Sequence, residues 1–164
     1  MSRVHAGDAA PDFSLSDTQG KNHSLKDLLK KGPVIAAFFK ISCPTCQFTF
    51  PFLQRIHDAY GGAHATLVAI SQDDAADTAE FCQEYGVKFT ALVDEDGYPV
   101  SNRYRITNVP SIFLISTDGK IQERAVGFAR AEIEAMGIEF ARANHRSATP
   151  VFRPTEIVPN TKPG

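Results

Sequence analysis

Tryptophan is absent from this chain, cysteine occurs three times and methionine twice in 164 residues. So few cysteines, odd in number, exclude the even-numbered disulfide framework of a small secreted scaffold. An excess of one charge is lacking too: 17 Lys+Arg against 19 Asp+Glu leave a net charge of −2. That balance offers no basic footprint for a nucleic-acid backbone or an anionic membrane. The longest apolar run, Val34–Phe39, has six residues, far short of the roughly 20 that a membrane-crossing helix needs. Met1-Ser2-Arg3-Val4-His5-Ala6-Gly7-Asp8 contains no apolar stretch suited to a secretory leader. No Gly-rich phosphate loop, catalytic Ser/His pair or paired-carboxylate motif stands out. These absences lead to the expectation of a cytoplasmic chain without a membrane segment, a nucleic-acid partner or a cofactor.

What is present reads as one α/β domain with an appendage. Hydrophobic residues make up 43% and charged residues 22%, and a chain of this length buries roughly 70% of its unfolded surface. Residues 13–15 and 21–24, around Asp17-Thr18-Gln19-Gly20, read as a small hairpin. The uniformly apolar Val34–Phe39 has the pattern of a central strand covered on both faces. Phe48, Phe52, Ile56 and Tyr60 recur every fourth residue as an amphipathic helix stopped by Gly61-Gly62, and Pro51 within it is expected to kink it. A strand over 65–70, a helix over 75–85 ended by Gly86, apolar residues 91–93 and a short helix near 100–104 follow. Ser111–Ile115 and Ile121–Val126 flank the turn Thr117-Asp118-Gly119 as a hairpin. Ile133, Met136 and Phe140 mark one face of a last helix over 130–143. This order predicts a mixed sheet with helices on both faces. After residue 143 the composition shifts to Pro150, Pro154, Pro159 and Pro163 with no helical period. Residues 144–164 are therefore expected as an extended tail without regular structure, appended to a domain over 1–143.

The chemistry concentrates in Cys43-Pro44-Thr45-Cys46, which directly follows the buried strand and opens a helix. Pro44 falls at the first helical position, where its missing N–H costs nothing. Cys43 then lies at the N-cap, where exposed N–H groups and the helix dipole favour a thiolate. Cys46, one turn in, is within disulfide reach of Cys43 and less exposed. An accessible thiolate to attack a substrate disulfide and a second thiol to resolve the mixed disulfide are what dithiol exchange requires. Cys43 is accordingly the expected nucleophile, Cys46 the resolving thiol, and Cys43–Cys46 the redox disulfide. A zinc site would need four ligands, and Cys82, His57 and His64 do not stand at ligand spacing. Cys82 shares a helical face with Thr78 and Tyr85 and reads as core packing, while Lys40 is a cation that could act on Cys43.

A second signal is Val109-Pro110-Ser111, immediately before a strand. A proline opening a strand of such a fold suggests a cis bond, and Val109 before it could offer backbone groups to an extended substrate.

These residues resemble the thioredoxin superfamily and, within it, the redoxin or AhpC/TSA-like family. The resemblance rests on Gly7-Asp8-Ala9-Ala10-Pro11-Asp12-Phe13-Ser14-Leu15, on Cys43-Pro44-Thr45-Cys46 followed by Pro51, and on Asn108-Val109-Pro110-Ser111 with Asp118-Gly119-Lys120. It covers about residues 4–143 and implies a thioredoxin fold with an added N-terminal hairpin and an inserted βα segment. Peroxiredoxins of this family carry proline and a hydroxyl before the reactive cysteine, where this chain has Ala36 and Lys40, and an arginine for which Val109-Pro110-Ser111 stands here. The remaining pattern looks like the TlpA-like thiol-disulfide oxidoreductases. That branch implies catalytic roles for Cys43, Cys46 and Pro110 and substrate contacts at Pro44, Thr45 and Val109. It also carries an acid after the following strand, matched by Asp73, which would take the proton from Cys46; helix capping by Asp73 or Asp74 is the competing role. Ser42 stands where thioredoxins place tryptophan, and Ala37 where they place a buried aspartate. The expected partners are protein or small-molecule disulfides and an upstream reductant. A peroxiredoxin-like peroxidase using Cys43 and a redox-switched binding module whose tail engages a partner are the alternatives.

Overall fold

The computed structural model describes residues 4–164; the first three positions of the leader reading and of the expected domain lie outside the described residues. β1 (Ser14–Ser16) and β2 (Asn22–Ser24) form the small antiparallel hairpin. The short helix α1 (Leu25–Leu29) follows, and its N-cap Ser24 accepts from the Asp27 amide, a cap of a kind worth about 1 kcal/mol.

The central sheet contains β3 (Val34–Phe39), β4 (Thr66–Ser71), β5 (Thr90–Val93), β6 (Ser111–Ile115) and β7 (Ile121–Val126) in the order β5-β4-β3-β6-β7. β3 pairs in parallel with β4 and antiparallel with β6. All six β3 residues are buried. Alternation along the strand divides them: Ile35, Ala37 and Phe39 face one core, Val34, Ala36 and Phe38 the other. The first core lies under α2 (Pro44–Tyr60), α3 (Ala75–Tyr85) and α5 (Arg130–Ala143) through Leu53, Ile56, Phe81, Ile133, Met136 and Phe140. The second lies under α1 and α4 (Pro99–Arg103) through Leu25, Leu28, Val100 and Tyr104. Each buried Leu, Ile or Phe contributes about 1.5–3 kcal/mol, which is why uniformly apolar strands choose the middle of the sheet.

α2 runs through Pro51 to Tyr60, with Phe48 and Phe52 packed on Phe128. Asp74, not Asp73, caps α3 by accepting from the Asp77 amide at 2.8 Å. Gly86 ends that helix at φ 68°, a left-handed conformation that suits glycine.

Residues 144–164 pack against the body. Val151 and Phe152 are buried in the first core, and Phe152 meets the Phe52 ring at 4.9 Å. Arg55 on α2 makes two 2.7 Å bonds to the Glu156 carboxylate and a third to the Val151 carbonyl. The expectation that this stretch has no regular structure is corrected at one place. β9 (Thr161–Lys162) pairs antiparallel with β8 (Phe128–Ala129). The two-residue β8, bounded by Gly127 and the start of α5, presents a backbone edge that an extended segment satisfies without any helical or alternating pattern of its own.

Candidate active site

The site forms where β3 ends, α2 begins and β6 begins. The register places Ser111 opposite Phe38, so the residues before β6 lie beside the loop that leads from β3 to Cys43. Val109–Pro110 is a cis peptide, as the sequence suggests, and Pro110 is buried. Pro44 opens α2, and Cys43 is its N-cap: the Cys43 sulfur accepts from the Cys46 amide at 3.1 Å. On its other side the Cys43 thiol meets the Val109 carbonyl at 3.4 Å. Cys43 and Val109, 66 residues apart in sequence, thus bring the dithiol and the cis peptide into one site.

The two sulfurs differ. Cys43 is half-buried and Cys46 is fully buried, and both are free thiols here. Burial pushes the Cys46 thiol far above the ordinary thiol range. Its hydrogen-bond contact with Cys43 and the negative charges of Cys43 and Asp73 push it the same way. Cys82 lies apart on α3, half-buried against the first core, with its thiol pushed up to about 11 by burial.

Asp73 follows β4 and reaches the active-site loop, where its Oδ2 accepts from the Ile41 amide at 2.8 Å. The turn that holds it is itself fixed: the Asp73 amide donates to Ser71 Oγ at 3.0 Å and Thr78 Oγ1 donates to the same oxygen at 2.7 Å. Lys40 is exposed at the end of β3. Thr45 is buried, and its hydroxyl donates to the Pro163 carbonyl at 2.6 Å. Among the described residues no cluster of three His, Cys, Asp or Glu side chains could hold a metal ion, and no helix is long and apolar enough to cross a membrane.

Three contributors escape sequence reading. Gln47 donates to the Ile41 carbonyl at 2.9 Å, tying the loop from its other side, yet in sequence it is one more polar helix residue. Gly127, at φ 70°, leaves room for the Lys162 carbonyl and donates to the Pro110 carbonyl at 2.8 Å, yet it reads as a plain strand end. The segment 160–164 reaches the site without any motif; the apolar pair Val151-Phe152 is the one hint that the stretch before it is anchored.

A mixed α/β sheet with a dithiol at a helix N-cap, the second thiol buried beneath it and the Val109 carbonyl of a cis Val–Pro peptide alongside defines a class: a thioredoxin-like thiol-disulfide oxidoreductase. The chain belongs to the AhpC/TSA family, whose model matches residues 6–124. A Bacillus thuringiensis protein named thiol-disulfide oxidoreductase ResA is 30% identical over 126 residues, spanning 76% of this chain and 72% of that protein. A Chlorobium tepidum crystal structure of a candidate thiol:disulfide interchange protein DsbE is 28% identical with a TM-score of 0.74, covering 85% of this chain and 98% of that one. Peroxidoxin BcpB of Mycobacterium tuberculosis, at 22% identity, has a TM-score of 0.67 over 87% of this chain and 97% of its own; that likeness shows the fold alone.

Proposed function

We propose that the chain exchanges disulfides with protein substrates by attack from Cys43 and resolution by Cys46. The observation that carries this reading is the setting of the Cys43 sulfur, which receives the Cys46 amide on one side and touches the Val109 carbonyl on the other. Charge on that sulfur meets an N–H at the positive end of α2, and a substrate strand laid along Val109 brings its own disulfide to the same point.

In the reductive direction the Cys43 thiolate attacks one substrate sulfur. The substrate S–S bond breaks, a Cys43–substrate disulfide forms, and the departing sulfur takes up a proton. Cys46 then gives its proton to Asp73 and attacks the Cys43 sulfur. The mixed disulfide breaks, Cys43–Cys46 forms, and the second substrate thiol leaves after protonation. Two electrons have passed to the substrate, and an upstream dithiol reductant restores the pair. Burial of Cys46 suits this order, since a thiol held protonated does not compete with Cys43 for the first attack. Pro44 and Thr45 on α2 and Pro110 beside Val109 shape the surface on which the substrate lies.

Single-turnover assays test the reading. The reduced chain is expected to reduce insulin disulfides rapidly and to consume hydroperoxide slowly. Rapid peroxide consumption with negligible insulin reduction would favour the peroxidase alternative, and negligible turnover of either with tail-dependent binding of a partner the binding-module alternative. We place the chain in the cytoplasm, supported by a low and odd cysteine count that suits no extracellular disulfide framework. Cell fractionation with thiol trapping checks this, and recovery outside the cytoplasm contradicts it.

A further inference from the structure

Residues 160–164 lie across the surface on which an extended substrate would have to lie. The Pro163 carbonyl takes the Thr45 hydroxyl at 2.6 Å, one residue from the Cys46 that resolves the exchange. Gly164 presses its backbone against the Val109 carbonyl, so closely that a β-carbon there would run into that oxygen. This is the same carbonyl that the Cys43 thiol meets. The Lys162 carbonyl fits against Gly127, where again no β-carbon has room, and the Lys162 ammonium stands 4.4 Å from the Phe48 ring centre. The Asn160 carbonyl accepts from the Arg130 amide at 2.9 Å, the first amide of α5.

We propose that residues 160–164 are a self-occupying strand that gates the dithiol: protein disulfides engage Cys43 only when this strand lifts, whereas small disulfides reach it with the strand in place. The proposal rests on the dithiol-exchange reading above. Both the strand and an extended substrate call on the Val109 backbone, and that peptide group cannot serve two strands from one side. Cys43 is only half-buried with the strand in place, and a small disulfide needs no strand-length surface beside it.

The way the segment is fastened suits a gate. Its base is firm, with Val151 and Phe152 in the core and Glu156 on Arg55. Its distal end is held by a two-residue ladder that Pro163, lacking an N–H, cannot extend, together with single bonds at Asn160 and Pro163 and the Lys162–Phe48 contact. Ladders this short open at small cost, and the anchored base keeps the lifted strand close enough to return.

The test compares the unsubstituted chain with Gly164→Val, whose side chain has no room beside Val109, and with Lys162→Pro, which removes a ladder N–H. Reduction of insulin and of glutathione disulfide is measured in parallel, with hydrogen exchange at the Arg130 amide to follow lifting. Both variants are expected to speed exchange at Arg130 and to raise kcat/KM for insulin by about five-fold, as releasing a closed state that holds about four-fifths of the molecules does. Glutathione disulfide reduction stays unchanged. Faster exchange at Arg130 with an unchanged or lowered insulin rate overturns the gate, because the strand is then displaced without unblocking the site. Unchanged exchange at Arg130 in both variants overturns it too, since the slender hold is part of the proposal. A wild-type chain that reduces neither probe overturns the exchange reading itself, and the gate with it.

Discussion

Two flanks meet at Cys43, and they are built by opposite means. On one, the loop from β3 is fastened by neighbours that the parallel sheet brings together. Asp73 holds the Ile41 amide, Gln47 holds the Ile41 carbonyl, and Ser71 and Thr78 brace the turn behind Asp73. On the other, the Val109 carbonyl is covered by residues 160–164, which reach it from an anchored stem and hold on through a two-residue ladder. In the proposed mechanism the first flank positions the atoms used in every turnover, and several side-chain hydrogen bonds converge on it. On the proposed reading the second occupies ground that the substrate needs. The contrast is between a flank tied by several side-chain hydrogen bonds and one covered by backbone that the gate proposal requires to lift.

The comparison can be broken at three depths. The deepest cut removes the stem: Phe152→Ala takes away a ring buried among Phe52 and Phe128. A loss of about 3 kcal/mol in unfolding free energy is expected, read by denaturant titration. A loss below about 1 kcal/mol would show that the stem is not part of the core. The second cut falls on the fixed flank. Asp73→Asn keeps an acceptor for the Ile41 amide but no base for Cys46, so resolution of the mixed disulfide is expected to slow about 10- to 100-fold. Stopped-flow separation of the two steps checks this. Equal slowing of the first attack would mean that Asp73 serves only to hold the loop.

The smallest effect belongs to Glu156. Its two bonds to Arg55 hold its carboxyl down at about 2, below the usual 4.5. A depressed folded-state value means that the tie contributes above the usual value and is lost as pH falls toward 2. Proteolytic protection of residues 144–164 is therefore expected to decline between pH 4.5 and 2, and Glu156→Gln to remove that dependence. A decline of the same size in the variant would assign it to another group.

Much of this was legible in the residues. Val34–Phe39 is apolar at every position because both its faces are covered, and the every-fourth pattern of Phe48, Phe52, Ile56 and Tyr60 marks the helix on one of them. Cys43-Pro44-Thr45-Cys46 announced a dithiol at a helix start because proline suits that position and few others. Val109-Pro110 was readable for a related reason: proline before a strand has few roles. The position of Asp73 was legible through family resemblance, but its bond to Ile41 depends on the strand register and was not. Residues 160–164 were the least legible. Their contacts are made by backbone carbonyls and by the absence of a β-carbon at Gly127 and Gly164, and such contacts leave no periodic trace in a sequence. Missing tryptophan takes on meaning at the same place. Ser42 offers little apolar surface beside Cys43, whereas Phe48 on the same helix receives Lys162 of the chain's own strand.

The division of labour between the two sulfurs is tested most directly by trapping. A Cys46→Ser chain mixed with insulin under non-reducing conditions should accumulate a mixed disulfide, located by peptide mass mapping. Linkage through Cys43 is the result this account predicts; linkage through Cys82, or no adduct at all, would contradict it.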